Sequence, residues 1–129
     1  MIQTINMATV GIDVIEIARI RKALERWGND FLDRVYTPGE KAIYKDRPPE
    51  LAVRFAGKEA VMKALGTGNR GVAWREIEIL SNRRGKPHVI LHGRARARAQ
   101  ALGLGELAIS LSHSNDFAIA SVMGIMEHK

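Results

Sequence analysis

The sequence predicts an α+β fold, a single domain over residues 1–129 in which a mostly antiparallel sheet packs with helices. Two features predict it. Apolar residues recur at helical spacing over residues 17–27 and 50–65, and alternate at strand spacing over residues 74–79. Turn-like stretches at residues 82–87 and 112–116 each separate two short strand-like runs, the signature of hairpins.

Residues 7–13 read as a strand with Val10 and Ile12 on one face. Ile17, Ile20, Leu24 and Trp27 follow at helical spacing, and Gly28 supplies a stop. Thr37-Pro38-Gly39-Glu40 is a cap leading into a short helix that ends near Lys45. Pro48-Pro49 then punctuates the chain. The longest helical pattern runs over residues 50–65 and is closed by Gly66-Thr67-Gly68. Alternation over residues 72–80 reads as a half-buried strand, with residues 88–91 as its returning partner. Residues 93–102, rich in alanine and arginine, read as a surface helix. Strands near residues 107–112 and 117–123 complete the order β-α-α-α-β-β-α-β-β.

A chain of 129 residues, 46% hydrophobic and 26% charged, suits one ordinary core. No apolar run approaches the roughly 20 residues that span a bilayer. Residues 1–6 lack the basic start and apolar stretch of a signal peptide. The absence of cysteine excludes disulfides and thiolate metal sites. A soluble cytoplasmic protein is the expectation. The net charge of +6 calls for an anionic partner, but leaves nucleic acid, anionic membrane, phosphorylated cofactor and acidic protein all open.

The segment over residues 50–65 carries the most chemistry. Leu51, Phe55, Met62 and Leu65 share one helix face, and Lys58 falls in the middle of it. Such a lysine either snorkels, with its stem packed and its charge in water, or reaches an anionic ligand. Glu59 and Lys63, one turn apart, are either a surface ion pair or part of a site. The Gly66-Thr67-Gly68 loop beside them favours a site, because glycines let backbone N–H groups approach a phosphate. Asp13 ends the apolar strand and is either a helix N-cap or, with Glu59, a ligand for a hard divalent cation. Arg19, Lys22 and Arg26 form a basic stripe on the first helix, either a solvated face or a surface for an acidic helix or a phosphate backbone. Ser112, His113 and Asp116 are sequence neighbours that cannot chain into a hydrolase triad. His88 and His92 have helical ligand spacing but lie in a strand-like stretch, and are set aside too.

Three segments together resemble the holo-acyl-carrier-protein synthase family of 4′-phosphopantetheinyl transferases. They are Gly11-Ile12-Asp13, the run RFAGKEAVMKALGTG from Arg54 to Gly68, and Ser110-Leu111-Ser112-His113-Ser114. The middle block is the specific one, and their order and separation match over nearly the whole chain. The resemblance implies the fold of that family and a homotrimer with active sites between subunits. It implies that Asp13 and Glu59 bind magnesium, completed by the pyrophosphate of coenzyme A. Arg54, Lys58, Lys63, Gly66, Thr67, Gly68 and His113 would line the coenzyme A site. An acidic acyl carrier protein would dock on Arg19, Lys22 and Arg26.

The implied reaction is magnesium-dependent, part of fatty acid biosynthesis. A carrier serine attacks the β-phosphorus of coenzyme A, and adenosine 3′,5′-bisphosphate leaves. Glu59 and Lys63 are the expected catalytic residues, since a metal and a lysine fixed at the pyrophosphate oppose the charge that accumulates there. Glu59 and a water on the metal are both candidates to take the serine proton. The other class to weigh is a small basic nucleic-acid-binding module. It explains the charge and the Arg94-Ala95-Arg96-Ala97-Arg98 run, but leaves Asp13 and Glu59 without a role and offers few aromatics for stacking. Neither nucleic acid nor membrane is therefore expected as a partner.

Overall fold

The computed structural model describes residues 7–127, so residues 1–6 and the signal-peptide reading made on them lie outside it. Strand β1 (Met7–Glu16) leads into helices α1 (Ile17–Trp27), α2 (Asn29–Val35), α3 (Pro38–Tyr44) and α4 (Pro48–Leu65). A short 3₁₀ turn over Trp74–Glu76 precedes the hairpin of β2 (Ile77–Ser81) and β3 (Pro87–Leu91). Helix α5 (Gly93–Ala101) and strands β4 (Ala108–His113) and β5 (Phe117–Met126) follow. The α+β expectation holds, with the strands divided into two antiparallel sheets, β1-β5-β4 and β2-β3.

In the larger sheet β1 pairs with β5 along its whole length, from Met7 opposite Met126 to Glu16 opposite Phe117. Alternation then sorts the residues. Gly11, Ile15, Ala118, Ala120 and Val122 face inward and are buried against α4. Val10, Ile12, Val14, Ile119, Met123 and Ile125 face outward, with Val10 62% exposed. The shared face read for Val10 and Ile12 is therefore real, but it turns away from the core of this chain.

Helix α4 lies between the two sheets and is buried almost all round. The single apolar stripe expected of it is too narrow a reading. Ala52, Ala56, Ala60 and Ala64 are all buried, and small residues let a helix sit close to a sheet without a leucine-rich ridge. Other departures are local. Helix α2 adds a helix to the order expected from the sequence, since only Leu32 and Val35 of its seven residues are buried, too few to set up a period. Strand β1 runs on to Glu16, so Asp13 stands within the strand rather than at a helix cap. The strand expected from residue 72 begins at Ile77, after the 3₁₀ turn. The cap at Thr37 forms as expected: its side chain accepts from the Glu40 N–H, and the Glu40 carboxylate accepts from the Thr37 N–H at 2.8 Å.

Lys58 corrects both readings offered for it. It neither snorkels nor presents its charge to a ligand; its side chain is 0% exposed. The ammonium donates to Glu40 Oε1 at 2.7 Å, to the Trp74 carbonyl at 3.1 Å and to the Ile77 carbonyl. An ammonium has three N–H bonds, so its donors are fully used inside the protein. Glu40, equally buried, also receives the Ile79 N–H at 2.8 Å. Burial pushes the Lys58 pKa down, and the Glu40 carboxylate beside it pulls the other way. A methionine at position 58 would suit the apolar surroundings, yet it would strand the Glu40 charge. Lys58→Met is expected to destabilise the fold by about 3–5 kcal/mol in urea unfolding, the usual cost of breaking a buried ion pair from one side.

Candidate active site

Lys63 brings strand β1 and helix α4 together at the surface. Its ammonium donates to the Ile12 carbonyl at 2.8 Å and to Asp13 Oδ1 at 3.1 Å. Asp13 faces α4 because it shares a strand face with Gly11 and Ile15. Gly11 sets how close that strand comes. A Cβ there would overlap the Ala60 carbonyl oxygen and sit 3.0 Å from the Ala64 nitrogen. The glycine of Gly11-Ile12-Asp13 is thus the condition for its aspartate to meet the helix.

Glu59 stands one turn before Lys63 but does not pair with it. Its Oε1 accepts the Trp74 indole N–H at 2.8 Å, while Lys63 is committed to β1. Neither an i,i+4 ion pair nor an N-cap accounts for Glu59, Lys63 and Asp13. Among the described residues no three His, Cys, Asp or Glu side chains gather as a metal cage. Two carboxylates, each with one oxygen engaged by a protein donor, fit magnesium better than a closed site. Magnesium keeps several waters and takes one or two carboxylates plus substrate phosphate oxygens.

Arg54 and His113 lie elsewhere. Nine residues separate Arg54 from Lys63, about half a rotation at 3.6 residues per turn, so they leave α4 on opposite sides. Arg54 points to the β2-β3 hairpin and is 1% exposed. Its guanidinium donates to the Ile79 carbonyl at 3.0 Å, Ser81 Oγ at 2.9 Å and Glu50 Oε2 at 2.7 Å, and lies 3.5 Å from the centre of the Tyr44 ring. Its first role is to clamp α4 to that hairpin. It also borders a cleft of about 260 Å³ shared with Glu50, Ser81, Gly85, Pro87 and His113. His113 is exposed at the end of β4, with Nδ1 3.3 Å from the Ser114 carbonyl.

The loop after α4 is partly occupied by its own cap. Gly66 adopts a left-handed φ of 74°, and its N–H bonds the Lys63 carbonyl at 3.1 Å. The Thr67 N–H bonds the Met62 carbonyl at 3.2 Å, so these two N–H groups are spent on ending the helix. Thr67 Oγ1 is buried without a hydrogen-bond partner among the described residues. Gly68 is again left-handed, at φ 55°.

On α1, Arg19, Lys22 and Arg26 rim a groove whose floor is Ile20, Ala23, Phe31 and Phe55, with a volume of about 350 Å³. The basic stripe therefore edges an apolar channel rather than a plain solvated face. The sequence gives Phe55 only a place on the apolar stripe of its helix and gives Phe31 no part in a site. A sequence signal exists for Phe55, an aromatic placed four residues from Glu59.

A family model for the 4′-phosphopantetheinyl transferase superfamily matches residues 9–122. The chain belongs to that superfamily. A holo-[acyl-carrier-protein] synthase of Herpetosiphon aurantiacus is 48% identical over 126 residues, spanning 92% of this chain and 99% of that protein. The crystal structure of Helicobacter pylori holo-[acyl-carrier-protein] synthase in complex with coenzyme A superposes with a TM-score of 0.81 at 34% identity, covering 89% of this chain and 98% of that one. The synthase from Neisseria meningitidis gives a TM-score of 0.80 at 33% identity, covering 90% and 96%. The family resemblance read from the three segments stands, and so does the enzyme class, a phosphopantetheinyl transferase. Membership of the superfamily also sets the nucleic-acid-binding alternative behind the transferase reading.

In this phosphopantetheinyl transferase Gly11 is the tightest point between strand and site. Gly11→Ala should force β1 away from α4, costing about 1–3 kcal/mol as overpacking does. Thermal unfolding should fall, and transfer activity should drop further than stability alone explains, because Asp13 moves with the strand.

Proposed function

We propose that this enzyme transfers the 4′-phosphopantetheine arm of coenzyme A to a serine of an apo acyl carrier protein, with magnesium, in the cytoplasm and in the service of fatty acid biosynthesis. The observation that carries this reading is the junction at Lys63, where one ammonium ties Asp13 of β1 to α4 one turn from Glu59. Asp13 and Glu59 would hold the magnesium. When bound, it supplies positive charge to the pyrophosphate oxygens and holds them in place.

The chain's own residues do the rest. Lys63, more than half exposed at its side chain, is poised to shift from Asp13 toward a phosphate oxygen. The serine oxygen forms a bond to the β-phosphorus while the bond from that phosphorus to the bridging oxygen breaks. Adenosine 3′,5′-bisphosphate leaves with the electron pair. The serine proton passes to Glu59 or to water. The Arg54–His113 cleft would take the nucleotide end of coenzyme A, with Gly66, Thr67 and Gly68 beside the arm. Lys58 acts from below, as the anchor of α4.

The two halves of this site leave α4 in opposite directions, which favours a site completed by a second subunit. The outward face of the β1-β5-β4 sheet favours assembly too. Val10, Ile12, Val14, Ile119 and Met123 form an apolar patch in the isolated chain, and such patches mark interfaces. A homotrimer joined through this face is part of the proposal.

Incubating the protein with coenzyme A, magnesium and an apo carrier, then weighing the carrier by mass spectrometry, tests the activity. The mass of one phosphopantetheine should be gained, and a carrier of unchanged mass overturns the reading. Asp13→Ala and Glu59→Ala should remain folded and lose nearly all transfer, and chelation should silence the wild type reversibly. A folded Glu59→Ala enzyme with near-normal turnover at saturating magnesium is the result that would count against the metal assignment. Charge across the docking surface mainly accelerates encounter and is screened over about 10 Å at 0.1 M salt. Arg19→Glu should therefore raise the KM for the carrier steeply, leave coenzyme A affinity alone, and lose its disadvantage as salt rises.

A further inference from the structure

Trp74 is used in three ways by its surroundings, and only two of them serve packing. Its carbonyl accepts from Lys58 at 3.1 Å, which ties its backbone to the buried ion pair. Its ring stacks on Phe55, 5.9 Å between centroids and tilted by 33°. The third contact is the indole N–H donated to Glu59 Oε1 at 2.8 Å. Backbone and ring are thus both fixed, and the one group left to act is a hydrogen-bond donor aimed at a carboxylate.

We propose that Trp74 is a positioning residue for Glu59, its indole N–H holding one carboxylate oxygen so that the other is presented to the metal. This rests on the reading of Glu59 as a magnesium ligand. A glutamate has several rotatable bonds, and freezing them on metal binding costs affinity unless another group has already fixed them. Partners that orient a metal's ligands do this, and losing one weakens binding about 10- to 100-fold. The chemistry of the donor matters. An indole N–H is neutral and cannot accept, so it fixes direction while leaving the carboxylate its full charge. A lysine in its place would compete with the metal, and the nearby lysine, Lys63, is drawn off to Asp13 and the Ile12 carbonyl.

The test measures manganese binding by electron paramagnetic resonance in the presence of coenzyme A, together with the magnesium dependence of transfer. Trp74→Phe keeps a ring against Phe55 and removes the N–H. It should weaken manganese binding about 10- to 100-fold and raise the magnesium concentration for half-maximal rate by a similar factor. The thermal midpoint should stay near wild type. In a Glu59→Gln background the same change should have no further effect. If Trp74→Phe binds manganese as tightly as wild type while Glu59→Gln loses it, the indole merely satisfies its own N–H and the proposal fails alone. If Glu59→Gln binds manganese normally, the metal assignment fails and takes the proposal with it. Should Trp74→Phe unfold, benzothienylalanine at position 74 keeps the two-ring shape with sulfur for N–H and must show the same loss.

Discussion

The buried pair of Lys58 and Glu40 is the constraint on which the rest of the molecule depends. A charge removed from water is tolerated only when every lone pair and proton finds a partner, so its neighbours must be held to hydrogen-bond precision. Lys58 meets that demand with groups from α3, from the turn at Trp74 and from the start of β2. Glu40 meets it with the cap of its own helix and the Ile79 N–H. A buried pair adds little net stability over an apolar one. What this one adds is rotation. With Lys58 fixed toward α3 and β2, α4 cannot turn about its axis, and Glu59 and Lys63 are carried round to face the Trp74 turn and β1.

That fixed rotation explains the division of the site. Arg54, one turn before Lys58, is drawn to the β2-β3 hairpin and clamps it through Ile79 and Ser81. Lys63, half a rotation from Arg54, emerges beside β1. One helix therefore carries Glu59 and Lys63 on one side and borders a cleft of about 260 Å³ on the other. A molecule as long as coenzyme A would have to reach round the helix to use both in a single chain. Using the two sides in two subunits needs no such reach.

Much of this was legible in the sequence, and what was not has a common cause. Asp13 stands out at the end of an apolar strand, and Glu59 and Lys63 by their one-turn spacing beside the Gly66-Thr67-Gly68 loop; the structure joins Lys63 to Asp13 across fifty residues. The cap at Thr37 followed from local chemistry alone. Lys58 stands out because it falls within the apolar stripe, but periodicity cannot tell a lysine at a cleft from one paired beneath the surface. The difference lies in Glu40, eighteen residues away and itself read only as part of a cap. The apolar run ends at Asp13, a local pattern that points to a helix start there. In fact β5 pairs with β1 as far as Glu16, and that pairing comes from the far end of the chain. Local patterns set local structure; partners distant in sequence decided which polar groups remained open.

Strand β1 shows how closely the proposed assembly and the proposed chemistry are joined. Its odd residues, Gly11, Asp13 and Ile15, face α4, and its even ones, Val10, Ile12 and Val14, face outward. The carboxylate proposed for the metal and the apolar face proposed for assembly are thus alternate side chains of one backbone. A slip of one residue would exchange them, burying Ile12 against α4 and turning Asp13 out to solvent. Ten consecutive pairs with β5 oppose that slip, and so does Gly11, since no other residue of the strand fits against Ala60. Ile12 makes the link tighter still. Its side chain belongs to the outward patch, while its carbonyl receives the Lys63 ammonium. Pressure of a neighbouring subunit on that patch would bear directly on the backbone that holds Lys63 and Asp13. A site completed only in the assembly would then be one whose own strand is braced by the assembly.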